Sequence, residues 1–331
     1  MSSKNSEMRS KLYDAYLEAT LAAIADDGAL PASAAPGRTR DYVSFGQQQQ
    51  PVLLLSCAWS VGLKRPPIRL QHLTVEFGIR FRVSAPFGVV EDEFVVISLR
   101  GEDLGLAEAF CMAADALVAA LPDAPSVSDI EKSVREFVEI LSALSLPSPR
   151  AVAGLWAELW LMSVAADPQA AIRAWHRDPT DRFDFSFSGH FVEVKATERG
   201  ERRHEFAYEQ LRGTDAPVTV ASVILRRAQS GRSLSDLVAA LQVGLSSEWR
   251  TKLVKNVFAA IGNAVSEASE IRFDEAYAAT NLRVISGSRV PVVNIPHGSP
   301  ISSVRFRVNF DDPNLRKEMR RAPLHEALFA C

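Results

Sequence analysis

Between residues 183 and 195 the chain alternates apolar and polar positions with a period of two. Aromatic and aliphatic residues occupy every second position, in the order Phe183, Asp184, Phe185, Ser186, Phe187, Ser188, then Val192, Glu193, Val194 and Lys195. This period is typical of half-buried strands, because successive side chains of a strand point to opposite faces of the sheet. The stretch therefore predicts the two strands of a β-hairpin.

The turn of this hairpin determines which residues meet across the strands. Ser188-Gly189 has the composition of a two-residue loop. In that register Phe187 faces His190, and Asp184 stands directly opposite Glu193. Opposed side chains have Cβ atoms roughly 4.5–5.5 Å apart, where two carboxylates repel each other unless a positive group lies between them.

Two interpretations of this charge cluster are open. In the first, Asp184 and Glu193 hold Mg²⁺ as part of an octahedral shell, and Lys195 orients a water molecule that attacks a phosphodiester. In the second, Lys195 forms a salt bridge that neutralises two ordinary carboxylates on a sheet face. The sequence upstream of the hairpin favours the first.

A further acid lies upstream in an apolar segment. Residues 154–162 predict a helix in which Glu158 is the single charge among leucine, tryptophan and methionine. A buried lone glutamate is costly, so it needs a partner. Arg150 and Arg173 do not lie at the three- or four-residue spacing of a helical ion pair. Glu158 is therefore expected to point at the same metal site, the alternative being an arginine from elsewhere in the chain.

Taken together, these residues resemble the PD-(D/E)xK nuclease superfamily, and within it a bacterial group found among restriction and phage-defence proteins. The resemblance rests on Glu158 in a helix, Asp184, the triplet Glu193-Val194-Lys195 and the segment 204–211. It covers residues 145–230 well and the rest of the chain more faintly. Phe183 stands where the motif has proline, a position that supplies no ligand.

The resemblance implies a fold, a cofactor and site residues. It implies that Asp184, Glu193 and Glu158 hold Mg²⁺, for which Mn²⁺ substitutes, and that Lys195 acts on the nucleophilic water. It also implies a restriction-endonuclease-like core of the order αβββαβ, a mixed sheet flanked by helices. The predicted elements follow that order: a helix at 154–162, the hairpin, a short strand at 204–206, a helix carrying Gln210 and a buried strand at 217–225.

Polar residues after the hairpin are candidates for contacts with DNA. His204 is a candidate for the substrate phosphate or the attacking water, with an ordinary surface residue as the alternative. Gln210 resembles a glutamine that family members place near the scissile strand. Arg202 and Arg203 belong to the densest basic stretch of the chain, and arginine suits phosphate through its rigid donor fork. Interleaved acids make a solvated face the alternative.

The N-terminal half predicts an accessory domain of the α+β class. Its expected elements are a helix near 7–25, a loop at 31–40, strands at 52–57, 70–84 and 93–100, and a helix at 104–121. The segment 122–128 is the best linker, which places the boundary near residue 125. Residues 1–125 would then read DNA, dock a partner or form a dimer, and residues 126–331 would be the nuclease-like domain.

The nuclease-like domain is expected to carry an extension at its C-terminal end. Its expected elements are a helix at 129–144, a break at 147–149, one or two helices within 234–262 and a strand at 304–310. Arg305 and Arg307 lie on one face of that strand. They either reach DNA or form the solvent-exposed face of an edge strand, where charged side chains prevent the strand from pairing with other chains.

Composition limits the class of protein. The chain is 47% hydrophobic with a formal net charge of −3, so any DNA contact must come from a local patch. Cys57, Cys111 and Cys331 lie far apart, which supports neither a disulfide framework nor a cysteine-based zinc site. No signal peptide and no apolar run of membrane-spanning length is evident. A cytoplasmic protein is therefore expected.

The sequence favours a Mg²⁺-dependent endodeoxyribonuclease of restriction-modification or phage-defence type. DNA is the expected substrate, and a homodimer or protein partners of a defence complex are compatible with it. The rival is a DNA-binding or scaffolding subunit with the same fold that does not cleave. An ordinary α/β domain with a salt-bridged hairpin is the third alternative, and it predicts that no metal binds.

Overall fold

The structure is a computed structural model that describes residues 10–22, 29–58, 65–70, 72–100, 104–146, 151–175, 181–212, 215–296, 300–301 and 303–321. Its mixture of sheets and helices confirms the α+β class. The first elements along the chain are α1 (Lys11–Leu21), β1 (Leu30–Ala34), β2 (Tyr42–Phe45), β3 (Pro51–Ser56), β4 (Ile68–Arg69), β5 (Leu73–Ala85), β6 (Gly88–Leu99), α2 (Leu104–Ala120) and α3 (Val127–Ser142).

The elements that follow surround the predicted hairpin and continue to the C-terminal part of the chain. They are α4 (Val152–Ser163), α5 (Pro168–Ala174), β7 (Phe185–Phe187), β8 (His190–Thr197), β9 (Arg203–Ala207), α6 (Tyr208–Arg212), β10 (Val218–Ile224), β11 (Arg227–Arg232), α7 (Leu234–Gln242), α8 (Ser247–Ile261), α9 (Val265–Glu270), α10 (Glu275–Thr280), β12 (Leu282–Ser286), β13 (Arg305–Asn309) and α11 (Pro313–Glu318).

The chain forms two compact units that do not part at the boundary predicted near residue 125. The first unit holds residues 1–148 and 238–270, and the second holds residues 149–237 and 271–331. Helix α3 belongs to the first unit because its apolar face packs on α2, where the rings of Phe110 and Phe137 lie 5.4 Å apart. The predicted linker leads directly into α3, whose first turn is closed by a capping box between Ser126 and Asp129.

The sheet of the first unit closes on itself. Its order is β1-β2-β3-β6-β5-β4, and β1 also pairs in parallel with β5. Strand β1 covers residues 31–34 of the loop predicted at 31–40, so that part of the prediction was wrong, whereas residues 35–40 lie outside any strand or helix. The segment Leu-Pro-Ala-Ser-Ala has little intrinsic strand preference, and its pairing with β2 and β5 decides its conformation. Inward-facing residues that include Tyr42, Leu54 and Phe94 form the core of the closed sheet.

The second unit contains the hairpin in a four-stranded sheet of order β12-β10-β8-β7. Strand β8 runs parallel to β10, and the other two pairs are antiparallel. Strand β9 pairs instead with β13 in a separate two-stranded sheet. Buried side chains from β9, β10, β12 and β13, among them Phe206 and Val220, form one core cluster. Helix α4 packs against β8.

The hairpin has the register that the sequence predicted. Phe187 pairs with His190 and Phe185 with Val192, so Ser188 and Gly189 form the loop. Gly189 has a φ of 106°, a backbone conformation that residues with a Cβ rarely adopt. Asp184 precedes β7 by one residue, and the same register extended by one step sets it against Glu193.

Several expectations fall outside the part of the chain that the structure describes. They concern residues 1–9, the break at 147–149, Arg150 and Cys331. Within the described ranges, no helix combines the length and the apolar character needed to cross a membrane.

Candidate active site

One cavity of about 370 Å³ in the second unit brings together the four acidic and basic residues predicted from the sequence. Glu158 from α4, Asp184 ahead of β7, and Glu193 and Lys195 from β8 all line it. The other lining residues are Ala151, Gly154, Leu155, Val194, Gln210 and Arg305. The three carboxylates are buried, with exposed fractions of 4%, 8% and 3% for Glu158, Asp184 and Glu193.

Asp184 and Glu193 are each held by groups of the hairpin. The backbone N–H of Val194 donates to Asp184 Oδ2 over 2.7 Å. Lys195 Nζ lies 2.7 Å from Glu193 Oε1 and 4.9 Å from the centre of the Phe206 ring. A salt bridge between Lys195 and Glu193 is therefore present, as one interpretation of the sequence required. It does not exclude a metal, because each carboxylate has a second oxygen.

Gln210 links Glu193 to the strand and helix that follow the hairpin. Its Nε2 donates to Glu193 Oε1 over 2.7 Å and to the Arg182 carbonyl over 3.2 Å. Its Oε1 accepts a hydrogen bond from the N–H of Ala207 over 3.0 Å. The structure thus places Gln210 in the cavity, in contact with a carboxylate, and its place near the scissile strand stays a prediction.

Glu158 is held by a residue that the sequence analysis did not single out. The indole Nε1 of Trp175, at the end of α5, donates to Glu158 Oε2 over 2.8 Å. Trp175 is itself 1% exposed. A buried indole N–H needs an acceptor, so any buried tryptophan is a candidate partner for a buried carboxylate. The separation of 17 residues between Trp175 and Glu158 gave no local signal that these two residues meet.

His204 is neither a surface residue nor part of the cavity wall. It is 3% exposed, its Nε2 lies 2.7 Å from Ser222 Oγ, and its ring meets Phe310 edge to face. Burial, with smaller contributions from Lys195 and Arg202, lowers the pKa of His204 to about 3. His204 does not belong to the described lining of the cavity. The prediction that it contacts substrate is therefore corrected.

Arg202 is also buried, which corrects the expectation of a DNA-facing or solvated side chain. Its guanidinium donates to the carbonyl and the hydroxyl of Ser222, each over 2.8 Å, and to the carbonyl of Asn281. Desolvation lowers its pKa to about 10, so it stays charged at neutral pH. Arg203 is exposed and forms a salt bridge with Glu201 at 2.8 Å. Neither arginine belongs to the described lining of the cavity.

The donor set of the cavity fits a divalent cation. Carboxylate oxygens are the ligands that Mg²⁺ and Mn²⁺ prefer, and Mg²⁺ is commonly held by only one or two of them together with water and phosphate. Asp184 and Glu193 provide such a pair. Among the described residues, no group of three or more His, Cys, Asp or Glu side chains is gathered closely enough to hold a metal by itself. Asp184 and Glu193, completed by solvent and substrate, are therefore the candidate pair of direct ligands, and Glu158 lines the same cavity.

Comparison with known proteins identifies the family. A family model described as "Putative PD-(D/E)XK family member, (DUF4420)" matches residues 68–309, which is more than half of the chain. No curated protein and no solved structure matches the chain. The matched range contains the cavity residues from Ala151 to Arg305. The chain therefore belongs to this PD-(D/E)XK family, whose superfamily consists generally of nucleases.

Proposed function

We propose that the protein is a Mg²⁺-dependent endodeoxyribonuclease that hydrolyses phosphodiester bonds in DNA. One observation carries the proposal: Glu158, Asp184, Glu193 and Lys195 line a single cavity in a chain of the PD-(D/E)XK family. Burying three carboxylates costs free energy, so a fold that gathers them around one space suggests a use beyond stability.

Each residue has a role that follows from its contacts. Asp184 and Glu193 are the proposed metal ligands, and Glu158 is an auxiliary ligand held in orientation by Trp175. Lys195 orients the attacking water and offsets the negative charge that grows on the phosphate. Gln210 keeps Glu193 in place through a hydrogen bond of 2.7 Å.

A divalent cation bound at this site would act as a Lewis acid toward the phosphate and lower the pKa of water. The protein's own contribution is to position the groups around it. Hydrogen bonds from Val194, Gln210 and Trp175 to the three carboxylates restrict their rotamers before substrate arrives. Such pre-organisation lowers the reorganisation needed during the reaction.

Cleavage of supercoiled plasmid DNA tests the proposal. The wild-type protein with Mg²⁺ is expected to convert supercoiled plasmid to nicked or linear forms. Lys195→Met keeps most of the apolar stem and removes the charge, so it is expected to slow cleavage on the order of 100-fold. Lys255→Met is the matched control, since Lys255 lies on α8 in the other unit and pairs with Glu139 on the surface.

Equal loss of activity in both lysine variants would count against the assigned role of Lys195. Failure of the wild-type protein to cleave DNA with either Mg²⁺ or Mn²⁺ would count against catalysis by the isolated chain. Circular dichroism of each variant separates a local effect from unfolding.

The rival function is a DNA-binding or scaffolding subunit that does not cleave. One observation favours it: Lys195, Gln210, Val194 and Trp175 already satisfy oxygens of the three carboxylates without a metal. The rival predicts DNA binding that is unchanged in Lys195→Met and no cleavage under any metal condition.

The biological setting follows only from the family resemblance. A role in restriction-modification or phage defence, a cytoplasmic location, a homodimer and protein partners stay predictions. So does the use of residues 1–125 for recognition, docking or dimerisation. Two-strand cleavage by a symmetric dimer would be the simplest arrangement, because the two strands of DNA are related by approximate twofold symmetry.

A further inference from the structure

Arg305 is the one exposed cation among the described residues that line the acidic cavity. Its side chain is 71% exposed, whereas Lys195, the other lining base, is 18% exposed and bound to Glu193. Arg305 lies on β13, far along the chain from the hairpin that supplies the carboxylates. The fold therefore adds to the cavity a base outside the nuclease motif, for which the sequence left open either contact with DNA or a place on the solvated face of an edge strand.

The position of Arg305 is set by strand register and hydrogen bonds. Strand β13 pairs with β9 so that Arg305 stands opposite Ala207. The N–H of Ala207 donates to Gln210 Oε1 over 3.0 Å, and Gln210 donates to Glu193 over 2.7 Å. Two hydrogen bonds thus connect the strand partner of Arg305 to a proposed metal ligand. This fixes the base of the arginine side chain relative to the site.

Arg307 provides an internal comparison. It lies on the same strand and the same face, two residues further on, and it is 80% exposed. Both arginines approach the same acid, with Arg305 Nη1 3.6 Å from Glu205 Oε1 and Arg307 Nε 3.4 Å from Glu205 Oε2. Two residues along a strand correspond to roughly 6.6 Å. Arg307 does not belong to the described lining of the cavity.

We propose that Arg305 binds the phosphodiester backbone of a DNA strand seated in the cavity, beside the scissile phosphate. The proposal rests on the proposed nuclease function and assigns a substrate-binding residue to it. The charges support it, because the cavity is lined by three acids and two bases, and one base is engaged by an acid within the site. A cation that is not engaged by an acid of the cavity adds to the attraction of the proposed metal for an entering phosphate.

The chemistry of the side chain fits this role. The guanidinium carries several donors in a planar fork, which matches the oxygens of a phosphate. Its pairing with Glu205 is an exposed contact longer than 3.5 Å, and such pairs contribute little to stability. The arginine can therefore exchange that contact for a phosphate at small cost.

DNA binding at several salt concentrations tests the assignment. Fluorescence anisotropy of a labelled DNA duplex would measure its affinity for the wild-type protein, Arg305→Gln and Arg307→Gln. Ca²⁺, which is also a hard, oxygen-binding cation, would replace Mg²⁺ in these titrations. Arg305→Gln is expected to weaken binding about tenfold, as for loss of one charge-assisted hydrogen bond. It is also expected to reduce the salt slope of log K by about 0.9. Arg307→Gln is expected to stay within about twofold of wild type.

Two results separate failure of this assignment from failure of the proposed function. Wild-type binding and plasmid cleavage together with equal effects of the two arginine variants would overturn the role of Arg305 and leave the nuclease intact. Absence of both binding and cleavage in the wild-type protein would overturn the nuclease proposal, and the role of Arg305 with it.

Discussion

At the scale of single residues, the candidate site depends on neutral hydrogen-bond donors that hold its carboxylates. Trp175 holds Glu158, Gln210 holds Glu193, and the N–H of Val194 holds Asp184. None of these partners carries a charge. Glu193 also forms an ion pair with Lys195, whereas the partners named here for Asp184 and Glu158 are neutral donors. Neutral donors orient a carboxylate without adding a cation that would compete with a metal.

The contact between Trp175 and Glu158 makes a prediction about stability. Trp175→Phe keeps the aromatic packing and removes one donor to a buried carboxylate. The free energy of unfolding is expected to fall by about 1.5–3 kcal/mol, the range for hydrogen bonds to charged groups. Trp156→Phe is the control, because Trp156 is equally buried and donates to the neutral carbonyl of Arg232 over 2.9 Å. Its expected loss is about 1 kcal/mol.

Denaturant titration of both tryptophan variants measures these losses. A smaller loss for Trp175→Phe than for Trp156→Phe would show that Glu158 does not depend on the indole donor.

Burial of His204 makes a prediction about pH. Its pKa is about 3 in the folded protein against 6.5 for an exposed histidine, so between these values the unfolded chain binds a proton that the folded chain does not. Proton binding by the unfolded chain lowers the free energy of unfolding. This loss is absent well above pH 6.5 and grows as the pH falls toward 3. Between pH 7.5 and 5.0 the decrease from His204 alone is expected to be about 2 kcal/mol.

His204→Gln isolates that contribution, since glutamine can still bond to Ser222 and does not titrate. Urea unfolding at several pH values is expected to show a shallower pH dependence for the variant than for wild type. Parallel curves would mean that folding does not lower the pKa of His204.

At the scale of elements, the site is assembled by the two helices α4 and α6, one hairpin and the strand β13. The hairpin could be predicted from sequence because its alternation, its Ser-Gly turn and its register are all local. Helix α5 was missed although Asp167 at its N-cap and Pro168 in its first turn were visible signals. Strand β1 was missed because pairing, rather than propensity, makes it a strand.

Long-range contacts account for the errors at the site itself. Arg202 lies in the charged segment 198–203 and His204 directly follows it, so both gave the pattern of surface residues. Both meet Ser222, which lies on β10 at least 18 positions away, and no local pattern predicts that pairing. Trp175 joined the site for the same reason. Arg305 was a candidate for DNA contact from the sequence, but its place at the cavity depends on tertiary packing that no local pattern predicts.

Helix α4 carries a prediction about access to the cavity. Gly154 lies in its first turn and lines the cavity, and a Cβ built there meets no atom within 4 Å. For Gly154→Leu, the free energy of unfolding is therefore expected to stay unchanged or to rise by about 0.5 kcal/mol, because leucine has a higher helix propensity than glycine. The added side chain extends into the cavity, so DNA cleavage is expected to fall.

Gly200→Leu is the matched control, because a Cβ at Gly200 also meets open space and this residue does not belong to the described lining. Thermal unfolding and plasmid cleavage measure the two effects. Full activity of Gly154→Leu would mean that substrate does not enter past α4.

At the scale of the whole molecule, the cavity lies within one of two compact units, and the family match spans parts of both. A net charge of −3 gives the chain no general attraction to nucleic acid. Under the proposed function, affinity for DNA has to arise from local cations such as Arg305 and from a bound metal. In that proposal, catalysis and the roles of the carboxylates both depend on binding of the metal.

The most direct test is titration calorimetry of Mg²⁺ and Mn²⁺ with wild-type protein, Asp184→Asn and the control Asp215→Asn, with and without DNA. Asparagine keeps an acceptor for the Val194 N–H but removes the charge, and Asp215 is exposed and outside the described cavity lining. Metal binding by wild type and Asp215→Asn that is lost in Asp184→Asn is the predicted result. No binding by wild type even with DNA present, or equal binding by Asp184→Asn, would contradict the metal-dependent nuclease.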